Sequence, residues 1–355
     1  MQASAGGRDG QVAGALFGLG AAALFGVSLP LAKLLLPATG AVMLAALLYL
    51  GAGLGVTVLS ALLRDVRGGR ESGLTRADTP LLLGIVLSGA VIGPVLLLVG
   101  LHRLSALAAS LLLNLEAPFT ILLAVWFFRD HLGAIEIVAI GLIVGGALIL
   151  TSAGSGFSGS WLGGAAVAGA CLSWAIDNNL TQRLSIRDPL ALVRVKALSA
   201  APISFGLALL AGETLPPLRQ TGYGMVLGFF SYGVSIVLAV RSLRLLGAAR
   251  EAAYFATGPF IGALAAAGLL GERLGARELF AMTAMAAGVV VLLRAVHEHT
   301  HTHEALEHDH AHVHDEHHAH EHDGPISEPH AHPHRHAPLT HAHPHVPDVH
   351  HRHRH

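Results

Sequence analysis

From Val12 to Arg294 the chain is a succession of apolar runs, each about twenty residues long and parted by short polar connections. A run of that length crosses the ~30 Å hydrocarbon core of a bilayer as a helix. Only helices and closed barrels satisfy their backbone polar groups there, and these runs are twice the length of a barrel strand. Ten spans are expected, at about 12–35, 40–63, 80–101, 105–128, 132–152, 161–182, 189–211, 221–241, 248–270 and 276–294. The expected fold class is therefore an all-α integral membrane protein with ten transmembrane helices. Composition supports this: 53% of residues are hydrophobic and only 13% charged, too apolar for a soluble chain of this length. The 42 glycines suit helices that pack closely in lipid. Residues 1–11 form a short N-terminal segment, weakly basic and followed by too long an apolar run for a cleaved signal peptide, so the first span is expected to be retained. The one long connection is the polar stretch Arg64–Thr79.

Lysine and arginine set the orientation. With the N-terminus inside, twelve basic residues in loops and span ends face the cytoplasm (Arg8, Arg64, Arg67, Arg70, Arg76, Arg129, Arg183, Arg187, Arg241, Arg244, Arg250 and Arg294). Five face outward (Lys33, Arg103, Arg219, Arg273 and Arg277). Both termini are thus expected in the cytoplasm. Arg194 and Lys196, about a turn into the seventh span, are read as snorkelling to that surface. The single Cys171 excludes an intramolecular disulfide and any CxxC site. No HExxH motif or Ser/His dyad points to an intramembrane enzyme.

The chain repeats itself. Arg103-Leu104 and Pro118-Phe119 recur at the same spacing as Arg244-Leu245 and Pro259-Phe260, and Leu132-Gly133-Ala134-Ile135-Glu136 echoes Leu274-Gly275-Ala276-Arg277-Glu278. The units are 12–152 and 161–294, with five spans each. Five is odd, so the second unit enters the membrane upside down relative to the first. Two inverted five-helix repeats are a transporter architecture, with the site near the midplane between them.

Within the fourth span, Asn114-Leu115-Glu116-Ala117-Pro118-Phe119-Thr120 places a carboxylate near mid-membrane. Such a group is costly in hydrocarbon, so it faces the bundle interior or a wet cavity and has a role, or is held as a neutral, hydrogen-bonded structural acid. Pro118 removes a backbone hydrogen bond and permits a kink beside it, and Pro259 does the same in the ninth span. In the sixth span Asp177-Asn178-Asn179 are consecutive, so they cannot share one helix face. Either some of them face the site, or they close the cytoplasmic end of the span with Asp177 paired to Arg183 or Arg187. Ser28 sits near the matching place in the first span. The candidate substrate and proton pathway is Glu116, Asn114, Asp177, Asn178 and Ser28. Tyr232, Ser235, Tyr254 and Thr257 are read as packing and interhelical hydrogen bonds. Glu136 and Glu278 sit in first helical turns, where the dipole favours acids.

These residues carry a resemblance. Phe25-Gly26-x-Ser28…Lys33, Trp174, and Leu104-Ser105-Ala106 leading to Glu116-x-Pro118 with Asp130 just beyond the helix resemble the drug/metabolite transporter superfamily, in particular its EamA-type ten-helix members. Gly258-Pro259-Phe260 and Gly271-Glu272-Arg273-Leu274 resemble the corresponding second-half segment. The resemblance covers about residues 12–294. It implies a secondary transporter in a bacterial cytoplasmic membrane, moving a small metabolite outward, with Glu116 available for proton coupling. The chain departs from the pattern in two places. Ala45-Ala46-Leu47-Leu48-Tyr49 stands where an early Arg is frequent, and Thr257 stands where a second Glu is usual. The expected partners are a small-molecule substrate and the lipid bilayer, with a homodimer allowed and no nucleic acid.

The tail, 297–355, is a different material. It holds 23 of the 25 histidines, with 10 acids against 3 arginines, whereas the body up to Val296 has 19 Lys and Arg against 13 acids. No apolar periodicity survives, so it is expected to be disordered and cytoplasmic. Its H-x-H pattern (His297, His299, His301, His303, then His308, His310, His312, His314) offers neutral imidazoles that suit Zn, Ni, Co or Cu. No cofactor is required by the body. The alternative function is a divalent-metal transporter or a membrane-bound metal sensor. Against it, the body has only His102 and His131, both at span ends, and a metal pathway needs ligands within the membrane.

Overall fold

Each apolar run becomes a helix because no water is present to take its amides. The computed structural model describes residues 5–62, 73–128, 133–152, 161–184, 187–246 and 248–294, and tail segments 297–303, 306–312, 330–336 and 339–345. Four helices are continuous near their expected limits: α2 (Ala41–Leu62), α5 (Ala134–Thr151), α7 (Pro189–Leu210) and α10 (Ala276–Arg294). Helix α1 runs Ala5–Thr39, so it begins within the expected N-terminal segment and carries Pro30 and Pro37 inside it. Nothing in Gly6–Gln11 forbids helix once the next turns are nucleated. Helix α6 (Trp161–Thr181) is as long as its neighbours. Nine described helical segments are long and apolar enough to cross a membrane. Helix α6, with Asp177, Asn178 and Asn179, is the tenth helix.

The other four spans are interrupted. Helix α3 comprises Thr79–Ile85 and Gly93–Arg103 around a π-helical segment, Val86–Ile92. Helix α8 comprises Leu218–Gly228 and Ser235–Leu246 around a second π-helical segment, Phe229–Val234. Helix α4 is Ala106–Leu112, a 3-10 turn at Leu113–Leu115, then Glu116–Phe128. Helix α9 breaks between Ala248–Phe255 and Gly258–Leu270. Both of these breaks lie just before a proline, Pro118 and Pro259. A proline has no N–H to donate to the carbonyl four residues back, and its ring crowds that carbonyl.

Helix α2 packs on α7, and α5 on α10. Helix α1 lies against α8 and α9, while α6 lies against α3 and α4. Two crossings bring backbones together. A Cβ on Gly26 of α1 would sit 2.3 Å from the Gly258 carbonyl of α9, and one on Gly51 of α2 would sit 1.9 Å from the Met225 carbonyl of α8. Interior van der Waals packing of this kind is what holds helices together when lipid is as apolar as leucine.

At one end of the bundle, charged side chains close four helix termini. Glu213 accepts from the amides of Val42 and Met43 at the start of α2 (3.3 and 2.6 Å). Glu272 accepts from Ala106 and Leu107 at the start of α4 (2.8 and 2.7 Å). Lys33 donates to the Leu101 and Leu104 carbonyls at the end of α3, and Arg277 to the Ile149 and Ser152 carbonyls at the end of α5. Each charge opposes the sign of the helix end it meets. At the other end Arg187 Nε lies 3.1 Å from Asp78 Oδ2, whose carboxylate also accepts from Thr75.

The described tail segments are paired as strands. Strand β1 (His297–His303) pairs antiparallel with β4 (Leu339–His345), and β2 (Leu306–His312) with β3 (His330–His336). The two-residue period of H-x-H is that of a strand. Two-stranded pairings alone are marginal in water.

Candidate functional site

The 3-10 turn in α4 re-aims the helix where the carboxylate begins its second segment. Asn114 Nδ2 donates to the Leu111 carbonyl (2.9 Å) and stands 4.0 Å from Met285 Sδ of α10, so this buried amide closes the break. Glu116 follows, and its Oε1 accepts from Asn178 Nδ2 of α6 at 2.8 Å. Thr120 Oγ donates back to the Glu116 carbonyl (2.9 Å), a bond within the helix. Glu116 is half-buried and Asn178 exposed.

Asp177, one residue earlier, turns to the other flank of α6, as the 100° step of a helix requires. Its Oδ2 forms an ion pair with Lys196 Nζ of α7, and Oδ1 accepts from Thr181 at 3.4 Å. This corrects two expectations. The ionic partner of Asp177 is Lys196, while Arg187 pairs with Asp78. Lys196 does not snorkel but points into the bundle, since residues two apart on a helix face different ways and only one of Arg194 and Lys196 follows the surface. Lys196 is the functional candidate that the sequence reading set aside in favour of snorkelling. Its signal was a lone lysine two residues from an arginine, within an apolar span.

A third contact explains the π segment of α3. In it the Gly93 amide bonds to the Ser88 carbonyl, five residues back. The next position is Pro94, which has no N–H, so the Gly89 carbonyl has no helical donor left. Trp174 Nε1 (2.9 Å) and Tyr49 OH (3.1 Å) supply two. Gly89 must also stay a glycine: a Cβ there would lie 2.2 Å from the Asp177 carboxyl group. Pro94 is the sequence signal for this arrangement.

Above the ion pair lies an aromatic cluster. The ring of Phe25 meets Trp174 edge-on at 6.3 Å, Tyr232 edge-on at 6.0 Å and Phe255 at 5.6 Å, and Tyr49 lies 5.2 Å from Tyr232. Five helices thus meet at one level. Ser28 is buried beside it, donating to the Phe25 carbonyl at 2.6 Å, and lines a cleft with Ala32, Leu48, Leu98 and Tyr232. Of the five predicted pathway residues, then, Glu116 and Asn178 are bonded to each other. Asp177 adjoins them, Asn114 shapes the break, and Ser28 lies apart at the cleft. Ser235 donates to the Ala21 carbonyl of α1 (2.9 Å), an interhelical bond of the kind expected. Thr257, where a second Glu would stand, bonds to the Tyr254 carbonyl at 2.6 Å in the α9 break.

Among the described residues no three His, Cys, Asp or Glu side chains gather as a metal site. Asp130, His131 and the side chains of His297, His299, His301, His303, His308, His310, His312 and His314 lie outside what the structure describes.

The EamA-like transporter family model matches residues 12–152 and again 161–294. An uncharacterized transporter of Methanothermobacter thermautotrophicus is 32% identical over 286 residues, covering 76% of this chain and 82% of that protein. A crystal structure of a protein superposes with a TM-score of 0.57 at 17% identity, over 79% of this chain and 96% of that one, a likeness of fold alone. These matches, on a bundle of apolar helices with a polar site at its broken spans, identify a multi-pass protein of membrane transport that belongs to the EamA-like transporter family.

Proposed function

We propose that the chain is a secondary transporter that moves a small metabolite outward across the cytoplasmic membrane by alternating access, with Glu116 carrying the coupled proton. The observation behind this is the Glu116–Asn178 bond, which joins α4 to α6 where α4 is broken. Interrupted spans at matching places in two halves mark a transporter's binding site. Helices α4 and α9 match in that sense: Glu116 and Thr257 stand two residues before Pro118 and Pro259. The inverted-repeat reading has further support. The π segments fall in α3 and α8, third in each set of five, and the packing of α1 on α8 and α9 is mirrored by α6 on α3 and α4. The test is uptake and efflux in proteoliposomes with a panel of metabolites and metals, with and without a pH gradient. A gradient that accelerates no flux removes the coupling.

Orientation has its own test. With both termini cytoplasmic, a reporter fused after Val296 reads inside and one within 154–160 reads outside. The opposite result at both positions inverts the molecule.

For the tail we propose a buffer or sensor of a late divalent metal that modulates a carrier whose pathway lies elsewhere. The contrast of 23 tail histidines with none inside the spans predicted from sequence motivates it. Truncation after Val296 is expected to remove most bound Zn or Ni and leave metabolite flux largely intact. Binding weakens as pH falls through the ordinary imidazole range, about 6.5, because only neutral imidazole is a ligand. Saturable metal flux that survives truncation and is lost in Glu116→Gln favours the metal-transporter alternative.

A further inference from the structure

The end of the bundle that carries Glu213 and Glu272 is clasped from one half to the other. Both acids belong to the second half, in the connections after α7 and α9. Both reach the first half, where each carboxylate takes two amides of a first helical turn. Those amides have no partner inside their own helix. The bonds are charge-assisted and lie along the helix dipole, so they are strong while dry. Water can take over the same amides once the carboxylate leaves, so the contact is reversible.

The same end of the bundle holds a water-sized cleft. Its lining comes from the clasped end of four helices: Ser28, Leu29 and Ala32 late in α1, Leu48 early in α2, Leu97, Leu98 and Leu101 late in α3, and Leu227 early in α8, with Tyr232 at its inner end. Gly40, between α1 and α2, makes room for one clasp. It has φ +76°, and a Cβ there would lie 2.5 Å from the Glu213 carboxyl carbon. The Glu116–Asn178 pair lies on α4 and α6, outside this lining. The cleft at the clasped end is closed: nearly all of its lining is buried.

We propose that Glu213 and Glu272 are the gate at this end: two carboxylate latches that leave the N-termini of α2 and α4 each time the cleft opens. This rests on the alternating-access reading above. A static staple would use the same bonds, so the test must see opening itself.

The full-length chain with Cys171→Ala has no thiol. In it, Ala32→Cys reports on the cleft and, in a separate variant, Asn178→Cys reports on the polar site. Each is labelled with a membrane-impermeant maleimide from either side of sealed vesicles. The expected result is slow labelling of Ala32→Cys from the latch side, rising on the order of tenfold when Glu213→Ala and Glu272→Ala are added, as a minor open state becomes the major one. Labelling of Asn178→Cys from the opposite side should fall in the same background. Gly40→Ala, which unseats Glu213 without altering a charge, should move both rates the same way by less. It also serves if the double alanine variant does not fold. Unchanged rates in a folded variant, or a rise from both sides together, would overturn the gate. Labelling needs neither substrate nor Glu116, so its failure leaves the transport reading standing. Absent flux in wild-type liposomes leaves the latches to be judged by labelling alone.

Discussion

Glu116→Gln is expected to fold, insert and keep its contact with Asn178, yet lose the pH-gradient-driven component of transport almost completely. The glutamine side chain has the same length, and its Oε1 still accepts the Asn178 Nδ2–H bond that the carboxylate accepts at 2.8 Å. What it lacks is a site for a proton. A variant that loses coupling with thermal stability within a few degrees of wild type separates chemistry from structure. Wild-type coupling in Glu116→Gln would return the residue to the class of buried structural acids, satisfied by Asn178 and doing nothing further.

The second large effect concerns the ion pair of α6 and α7. The side chains of Asp177 and Lys196 are only 7% and 19% exposed. Removing one partner of such a pair strands the other charge in a medium that cannot solvate it, and costs about 3–5 kcal/mol. Lys196→Met alone, or Asp177→Asn alone, is therefore expected to destabilise the bundle by about that much. The double variant should recover most of the loss, because two neutral side chains of similar size leave no charge behind. Denaturant or thermal unfolding in detergent measures the cycle. Single losses below about 1 kcal/mol would mean that water reaches both charges, as at an exposed pair.

The architecture was legible because lipid enforces it: a run of twenty apolar residues has one way to cross, and the helices follow the runs closely. The breaks at Pro118 and Pro259 were legible for the same reason, a proline being a local rule. Asp177 and Lys196 were not, because each looks like a span-end charge until a neighbouring helix is in place. The pairing depends on which flank of α6 faces α7, and a two-residue step decides that. Gly89 was invisible among 42 glycines, since its role comes from the Asp177 carboxyl group and two ring donors on other helices. Glu272 was visible only as part of a motif and Glu213 not at all. An acid in a loop says nothing about whose amides it will cap.

The polarity of α6 has a consequence for how the chain is made. Helix Trp161–Thr181 carries Asp177, Asn178 and Asn179 among its last five residues. An aspartate at the centre of an inserting helix costs about 2.5–3.5 kcal/mol on the biological insertion scale, and one nearer the end, as here, costs less. Its release from that penalty comes from α3, α4 and α7: Gly89 gives its carboxyl group room, Glu116 takes Asn178, and Lys196 answers its charge. Two of those three helices are synthesised first. Two of the partners of α6 are thus made before it is. Substitution of Gly89, or loss of the Asn178 acceptor in Glu116→Ala, should surface during biogenesis, as α6 left on the wrong side or handed to proteolysis, whereas Glu116→Gln keeps the acceptor and inserts.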